Sequence, residues 1–401
     1  MCYFYSNPKT NDVHLINRTD IDIMIKENEK DRIECDEITY SSLKGESFCG
    51  TIGFSPTNWL KGVVCRDPKI NGFMMEMPYG TVIKQAERNH YYRGEKQIYP
   101  SSIPSLNREL NKKINEEDRQ LYKIIANMRI FEFKEFIYNF KHVQFWRENC
   151  YECDVLFELL AQHYGLQTHW LDITNDFMCA LFFATCFHDG KKWYPLTKKQ
   201  TECNENTKYG MIFHIPYCNV SKDFSFKSLL HDSFGCRINA ILPIGFQPFM
   251  RCHMQYGYGI YMSEDYSLQN DISFEKLKFR HDEKLSQDVY NKMKEGELIY
   301  PHEGLNSFDD IICQIKNAIN FTDGAFEYAF QNNTYFTDKT YCKLRLEQYE
   351  IDNKFITIGN DHPYTLCRQR RRRLDKQYET FSLEKSYNIK PVTRLVSPPP
   401  N

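Results

Sequence analysis

The residues whose types and spacing could carry chemistry are concentrated in the stretch LLAQHYGLQTHWLDITNDFMCALFFA, from Leu159 to Ala184. In it a histidine, two threonines and an aspartate stand between two apolar segments: His163, Thr168, Asp172 and Thr174. So many hydrogen-bonding side chains at a predicted core indicate either a ligand pocket or residues that cap buried helices.

The first apolar segment predicts a helix that begins near Asp154, whose carboxylate suits the positive end of a helix dipole. Its apolar residues follow the spacing of one buried face, which includes His163 in the last turn. Gly165 is placed where a left-handed residue ends a helix. His163 is therefore either a site residue or a core histidine that donates to a backbone carbonyl.

The second apolar segment predicts a fully buried helix that begins at Thr174 or Asn175, both good capping residues. Between the two helices we predict a short loop, LQTHWLDIT. In that position Asp172 and Thr174 either cap the second helix or help its free N–H groups to bind a phosphate. The sequence leaves both interpretations open.

Length and composition set limits on the function. The 401 residues suit two or three domains, and the net charge of −2 gives no global field that would recruit nucleic acid or acidic membranes. No secretory signal or membrane-spanning run is evident, so we expect the fifteen cysteines to be reduced and the protein to be cytoplasmic. Cys150 and Cys153 form a lone C-x-x-C motif. Even with His163 and His169 nearby it is weak evidence for zinc, and no metal is predicted.

The pattern along the chain predicts an α+β fold with three segments. Residues 1–85, which include DVHLINRTDIDIMI, mix alternation with turn residues and predict a β-rich segment. Residues 86–265 predict a central mixed domain of short strands with buried helices. Residues 266–401 predict a mainly helical segment that ends in an arginine run and a disordered SPPPN.

Several motifs resemble those of the FRG domain, a bacterial family named for its (Phe/Tyr)-Arg-Gly motif. The naming motif corresponds here to Tyr92-Arg93-Gly94, and a P-S-L-x-R segment to residues 104–108. The core signature corresponds to the QHYG, T, LD, T, AL and FA positions of residues 162–184. A closing R-x-x-x-Q-x-G element is approximated from Arg251 through Gln255 to Gly257. The resemblance covers about 170 residues and implies a domain rather than a reaction.

The order of these elements is similar to that of ADP-ribosyltransferase folds, in which an early strand holds NAD, a hydroxyl-rich turn braces it and a late strand carries a carboxylate. The similarity implies a cofactor site for NAD, with these residues as its binding residues: Tyr92, Arg93, Gly94, Thr168 and Thr174. Arginine suits a pyrophosphate because its planar fork makes bidentate hydrogen bonds, and the glycine beside it lets the backbone approach a ligand. In the competing interpretation, Arg93 pairs with a carboxylate such as Glu95 or Asp172 and only stabilises the fold.

The late-strand position, predicted within Arg251–Tyr261, carries Gln255 where a glutamate is expected. An amide cannot supply the negative charge that stabilises an oxocarbenium-like transition state, so Glu95 or Asp172 would have to substitute. The predicted catalytic residues are therefore His163, Asp172, Gln255 and Glu95.

We arrive at three functional hypotheses. The first is an ADP-ribosyltransferase-like effector that uses NAD in bacterial toxin or phage-defence biology. The second is a non-catalytic sensor of a nucleotide-like small molecule. The third is contact with nucleic acid or a protein target through the arginine run, Arg368 to Arg373. The alternative interpretation of this run is a solvated helix end without a partner.

Overall fold

The computed structural model describes residues 12–42, 49–55, 58–65, 72–77, 80–85, 90–140, 156–216, 241–244, 249–264, 266–271, 274–300, 305, 308–359, 364 and 366–379. Strands and helices are both abundant, which confirms the α+β class. The strands are β1 (Val13–Ile16), β2 (Cys49–Ser55), β3 (Asn58–Cys65), β4 (Gly72–Met77), β5 (Gly80–Gln85), β6 (His90–Glu95), β7 (Trp170–Thr174), β8 (Cys186–His188), β9 (Trp193–Pro195), β10 (Tyr209–Pro216), β11 (Ile241–Pro243), β12 (Gly257–Tyr261), β13 (Glu275–Arg280), β14 (Asn320–Thr322), β15 (Glu350–Ile351), β16 (Lys354–Phe355) and β17 (Thr357–Gly359).

The helices divide between the sheet and a C-terminal group. They are α1 (Arg18–Ser42), α2 (Ser105–Leu110), α3 (Glu116–Ile137), α4 (Phe157–His163), α5 (Phe177–Thr185), α6 (Lys198–Thr201), α7 (Met250–Met254), α8 (Glu283–Lys292), α9 (Asp309–Lys316), α10 (Asp323–Gln331), α11 (Lys339–Glu347) and α12 (Arg368–Glu379). The C-terminal group packs on α3, for example where the buried Arg129 donates to the carbonyl of Ala318.

A seven-stranded sheet in the order β1-β13-β10-β6-β7-β12-β11 forms the centre. Every pair in it is antiparallel except β1 with β13. Strands of all three predicted segments therefore share this sheet, because β1 belongs to the first and β13 to the third. The strands β2 to β5 form a separate four-stranded antiparallel sheet.

Helix α5 is the apolar centre of one sheet face. Phe177, Ala180, Leu181 and Phe182 have no exposed surface, because the helix is apolar on every side and lies between β6 and the helices α1 and α8. The prediction of a fully buried helix here is confirmed, but its start is wrong. Asp176 caps it by accepting from Cys179 N at 2.6 Å.

The N-terminal segment was only partly predicted. In the stretch DVHLINRTDIDIMI, which was predicted as strand and turn, β1 accounts for only four residues, and α1 begins at Arg18. Asn17 accepts from the N–H groups of Thr19 and Asp20, and the buried Ile21 and Met24 are three residues apart. This is the pattern of a capped amphipathic helix, and the short alternation around β1 concealed it.

The polar stretch between the helices is also more regular than a loop. Its second half is the strand β7, paired with β12 along its whole length, so the loop prediction is wrong for Trp170–Thr174. The preceding helix α4 ends as predicted. Gly165 has φ of +83°, and the N–H groups of Gly165 and Leu166 return to the carbonyls of Gln162 and Ala161. The predicted start at Asp154 lies outside the described residues.

Candidate functional site

A cleft opens where β6 and β7 separate. The two strands pair only at Tyr92 and Thr174. Next to this split lies a cavity of about 450 Å³, a volume typical of small-molecule sites. It is lined by Tyr92, Arg93, Gly94, Glu95, Lys96, Tyr99, Ser101, Ser102, Arg108, His163, Asp172, Ile173, Thr174, Phe183, Cys186, Phe187, His188, Trp193, Arg251, Gln255 and Tyr300. All the predicted site residues but one, Thr168, are among them.

Thr168 is not among the lining residues, and only 1% of the residue is exposed. It donates to Gln162 Oε1 at 2.9 Å and accepts from Trp170 N at 3.1 Å. Both hydrogen bonds of this hydroxyl hold the turn between α4 and β7, so the structure favours a structural role for Thr168, and its predicted contact with a cofactor stays a prediction.

The Tyr92-Arg93-Gly94 motif joins β6 to its neighbours. Tyr92 is fully buried and packs edge-on against Phe177. A Cβ atom on Gly94 would lie 1.7 Å from the carbonyl oxygen of Ala180. The glycine is thus required for the close approach of α5 to the strand. Gly94 also lines the cavity, so the prediction that it lets the backbone approach a ligand stays a prediction.

Arg93 is occupied by protein groups. Its Nε lies 3.0 Å from Glu95 Oε1, and its Nη1 donates to the backbone carbonyl of Asp172 at 2.7 Å. The guanidinium therefore bridges the split between β6 and β7. Of the two roles that the sequence left open for Arg93, this arrangement favours pairing with Glu95.

Glu95 is part of a buried polar network. Its second oxygen, Oε2, accepts from Ser102 Oγ at 2.6 Å, and Gln269 in turn bonds Ser102. Only 6% of the residue is exposed. Because both carboxylate oxygens have partners, Asp172 is better placed than Glu95 to meet a ligand.

His163 and Asp172 face each other in the cavity. His163 Nδ1 lies 3.2 Å from Gln255 Oε1, whereas Nε2 lies 3.5 Å from Asp172 Oδ1. Neither Nε2 nor Oδ1 has a hydrogen-bond partner, although both atoms are buried. Because an amide oxygen only accepts, Nδ1 is the donor in the contact with Gln255. The predicted interaction of His163 with a backbone carbonyl is not the one found.

The sheet makes room for this imidazole at Gly257, directly opposite Thr174 on β7. A Cβ atom on Gly257 would lie 2.6 Å from His163 Cε1. The last turn of α4 can therefore place the ring flat over β12. This glycine is the last residue of the closing R-x-x-x-Q-x-G element, and its role is to admit the histidine.

The N-terminus of α5 is closed by protein groups. Asp176 N donates to Thr174 Oγ1 at 3.0 Å, and Phe177 N donates to Asn28 Oδ1 at 2.9 Å. Together with the Asp176 cap, these bonds favour the capping interpretation over a phosphate seat. Asp172 itself is not a cap, because it lies in the middle of β7. Thr174 Oγ1 also donates to the carbonyl of Gln255 at 2.8 Å.

Gln255 is not on a strand. It is the C-terminal cap of the five-residue helix α7, and Tyr256 with φ of +48° turns the chain into β12. The predicted late strand therefore begins at Gly257, and the first half of that range is helical. The turn points the Gln255 side chain at His163.

The sequence did not identify an aromatic wall on the opposite side of the cavity. Arg251 lies over the ring of Tyr300, with 3.8 Å from its guanidinium carbon to the ring centroid. Trp193 and His188 continue this wall with ring centroids 5.1 Å apart. Burial raises the pKa of the Tyr300 hydroxyl, and the positive charge of Arg251 acts in the opposite direction. Only the R-x-x-x-Q spacing of the closing element pointed to Arg251.

Two other predictions concern metal sites and membrane-spanning segments. Within the described ranges no group of three or more histidine, cysteine or acidic residues is arranged to hold a metal ion. Cys150 and Cys153 lie outside those ranges. No helix of the described part of the chain is long and apolar enough to cross a membrane.

The arginine run lies in α12 and is partly held to the body of the protein. Arg370 makes two hydrogen bonds to the carboxylate of Asp310, at 2.8 and 2.9 Å, and Arg371 bonds Asn139. Three exposed arginines are left for a nucleic-acid or protein partner: Arg368, Arg372 and Arg373.

Comparison with known proteins identifies one domain. The sequence model of the FRG domain matches residues 88–192. This range includes β6, β7 and β8, ends one residue before β9, and contains both the Tyr-Arg-Gly motif and the His163-to-Ala184 signature. The closing element lies beyond it. No curated protein and no solved structure matches the chain.

Proposed function

We propose, from the premise that this chain contains an FRG domain, that the cleft beside β6 binds NAD and that the protein is an ADP-ribosyltransferase-like effector. In that reaction the bond between ribose and nicotinamide breaks, nicotinamide leaves with the bonding electrons, and an acceptor hydroxyl or water attacks the ribose. The acceptor must lose a proton. A general base in the cleft is therefore required.

The observation that carries the proposal is the buried pair of His163 Nε2 and Asp172 Oδ1, 3.5 Å apart and without hydrogen-bond partners. Buried polar atoms are seldom left unsatisfied, and such exceptions are common at functional sites. The lone pair of Nε2 is suited to take the acceptor proton. Asp172 would then stabilise the imidazolium, and Gln255 holds the ring through Nδ1.

The surroundings of the pair suit a nucleotide. Arg93, Lys96, Arg108 and Arg251 give the cavity four cationic side chains, which favours an anionic ligand. The aromatic residues of the wall offer surfaces on which a planar base can stack. NAD combines a diphosphate with two planar rings, so both features fit it.

A second candidate is a non-catalytic sensor of a nucleotide-like ligand. It is favoured because two of the predicted catalytic residues, Gln255 and Glu95, offer no available carboxylate oxygen. Gln255 carries no charge, and both oxygens of Glu95 are bound by Arg93 and Ser102. Only Asp172 among the predicted catalytic residues then presents a carboxylate oxygen that lacks a hydrogen-bond partner.

Calorimetric titration of NAD and ADP-ribose, combined with chromatographic measurement of nicotinamide release, tests both candidates. We expect wild type to bind NAD and release nicotinamide. Asp172→Asn, which keeps the shape and removes the charge, should bind NAD but release nicotinamide at least about tenfold more slowly. Asp288→Asn, at an exposed carboxylate that pairs with Arg18 outside the cavity, is the matched control and should behave as wild type.

The outcomes separate the candidates. Binding without nicotinamide release by wild type would favour the sensor. Binding of neither NAD nor ADP-ribose would overturn the assignment of this cleft to NAD.

A further inference from the structure

We infer that Arg251, rather than Arg93, binds the phosphoryl group of the ligand in this cleft. The inference deepens the proposed function and rests on it for the identity of the ligand as a nucleotide. It follows from which donors in the cavity already have acceptors and which do not.

Arg93 has little capacity left. Its Nε is 3.0 Å from a carboxylate oxygen of Glu95 and its Nη1 is 2.7 Å from a backbone carbonyl. A phosphate that bound Arg93 would have to compete with a carboxylate that is 5% exposed and has no other cation within ion-pair distance in the described structure. Breaking this pair would leave a buried charge unpaired, which is costly.

Arg251, in contrast to Arg93, still has a buried N–H donor without an acceptor. Its guanidinium lies between the rings of Tyr300 and Tyr164, with 3.8 and 5.1 Å to the two centroids. No carboxylate oxygen of the described residues lies within 4.0 Å of it, and its Nε is buried without an acceptor. The two rings hold the planar fork in one orientation. An anion that binds it therefore meets an ordered group.

A second donor in the same wall also lacks an acceptor. The indole Nε1 of Trp193 is buried with no hydrogen-bond partner, and its ring lies 5.8 Å from that of Tyr300. Indole and guanidinium N–H groups only donate. Two unsatisfied donors on one wall suit a ligand rich in acceptor oxygens, and a phosphoryl group presents three.

The position of Arg251 connects this anion site to the reacting pair. Arg251 and Gln255 are four residues apart across α7, which places them on the same side about one turn apart. Gln255 in turn contacts His163 Nδ1. A phosphoryl group on Arg251 would therefore set the rest of a nucleotide beside His163 and Asp172.

Titration of wild type with pyrophosphate, ADP-ribose and adenosine tests the inference. Arg251→Lys keeps the charge but loses the fork, and Arg251→Gln loses both. We expect the affinity for pyrophosphate and ADP-ribose to fall about ten- to a hundredfold in Arg251→Gln, less in Arg251→Lys, and the affinity for adenosine to stay constant. Trp193→Phe, which removes the indole donor and keeps a ring, should weaken both phosphorylated ligands about two- to tenfold.

Arg345→Gln is the matched control, because this arginine pairs with Glu117 outside the cavity. Melting temperatures of all variants report whether they fold. If Arg251→Gln does not fold, the affinity of Arg251→Lys for pyrophosphate tests the role of Arg251. Arg93→Lys is the comparator and should lower the melting temperature more than it lowers the affinity for pyrophosphate.

The failure of this inference is distinct from that of the proposed function. Pyrophosphate binding that is unchanged in both Arg251 variants would overturn the assignment of Arg251. Binding of pyrophosphate, but of neither ADP-ribose nor NAD, would overturn the nucleotide proposal; loss of that binding in the Arg251 variants would still support the anion site. Binding of none of these ligands by wild type would overturn both.

Discussion

Two clusters of histidine and carboxylate lie on the same face of the large sheet and differ in access. The open cluster consists of His163, Asp172 and Gln255. The sealed cluster consists of His90, His214 and Glu275, where His214 Nδ1 lies 2.6 Å from Glu275 Oε2 and His214 Nε2 lies 2.9 Å from His90 Nδ1.

Strand register relates the two clusters. Glu275, His214, Tyr92, Thr174 and Gly257 lie directly opposite one another on successive strands, so they form one row across the sheet. The row begins in the sealed cluster and ends under the imidazole of His163. Tyr92, stacked on His214 at 5.2 Å between ring centroids, separates the two ends.

The comparison shows that residue type alone does not make a reactive site. In the sealed cluster the carboxylate and both rings bond one another, and no member is more than 7% exposed. In the open cluster the carboxylate and the ring face each other at 3.5 Å without a hydrogen bond, beside a cavity. Similar chemical groups therefore stabilise the fold at one end of the row and are available to a ligand at the other.

The largest expected effect comes from removing the carboxylate of the sealed cluster. Glu275→Ala leaves His214 without its buried partner and should lower the free energy of unfolding by about 3–5 kcal/mol. Asp172→Ala in the open cluster should cost about 1 kcal/mol or less, because that side chain is 37% exposed and its Oδ1 has no hydrogen bond to lose. Urea unfolding of both variants provides the measurement, and equal losses would contradict the distinction between the clusters.

The second largest expected effect is a loss of stability in acid, caused by His90 in the sealed cluster. Burial, followed by the charge of His214, lowers the pKa of His90 from 6.5 to about 4, against the opposing charges of Asp31 and Glu275. The unfolded chain thus binds a proton near pH 6.5 and the folded protein only near pH 4. The stability contributed by His90 is complete above pH 6.5 and is lost as the pH falls toward 4, by up to about 3 kcal/mol.

The measurement for His90 is the free energy of unfolding between pH 7.5 and 4, in wild type and in His90→Asn. The variant keeps a hydrogen-bonding side chain but does not titrate. The difference between the two proteins should shrink as the pH falls through this window. A constant difference would mean that His90 is not the titrating group.

A methyl group at Gly257 tests the open cluster by displacing its imidazole. The new Cβ atom would lie 2.6 Å from His163 Cε1, so Gly257→Ala should cost about 1–3 kcal/mol and weaken ligand binding in calorimetry. Gly359→Ala is a matched control, since nothing lies within 4 Å of the added atom. Ligand affinity that survives the substitution would show that the position of His163 over β12 does not matter.

The smallest expected effect concerns an ion pair at the protein surface, which extends the comparison beyond the open and sealed clusters. Arg370 and Asp310 form a pair whose side chains are 37% and 56% exposed. Arg370→Ala should therefore change the free energy of unfolding by less than about 1 kcal/mol, and by still less in 0.5 M salt. A loss as large as that of Glu275→Ala would mean that α12 is integral to the fold.

The sequence predicted local features of the open cluster well. The burial of His163 in the last turn of a helix and the left-handed Gly165 follow from spacing and residue type, which act over a few residues. The strand β7 was missed because Asp172 and Thr174, at its middle and its end, were interpreted as helix caps or as part of a phosphate seat. Its pairing with β12, almost ninety residues later, decides the conformation.

Contacts between strands that are distant in the chain could not be predicted from the sequence. The sealed cluster brings together three residues from β6, β10 and β13, and only strand register makes them neighbours. The state of the two arginines was hidden for the same reason. Arg93 and Arg251 are equally charged in the sequence, and only the fold gives one a carboxylate and the other two aromatic rings.

The parallel pairing of β1 with β13 has a consequence for how the chain is made. More than 250 residues separate Ile16 from Glu275, so β1 must wait for its partner in the sheet until β13 has been synthesised. At ~5–20 residues per second, this wait is roughly ten to fifty seconds. The cavity wall at Tyr300 is made later still, so the cleft cannot be completed before this residue has been synthesised. Contacts of such high sequence separation also predict slow folding, which would finish after synthesis.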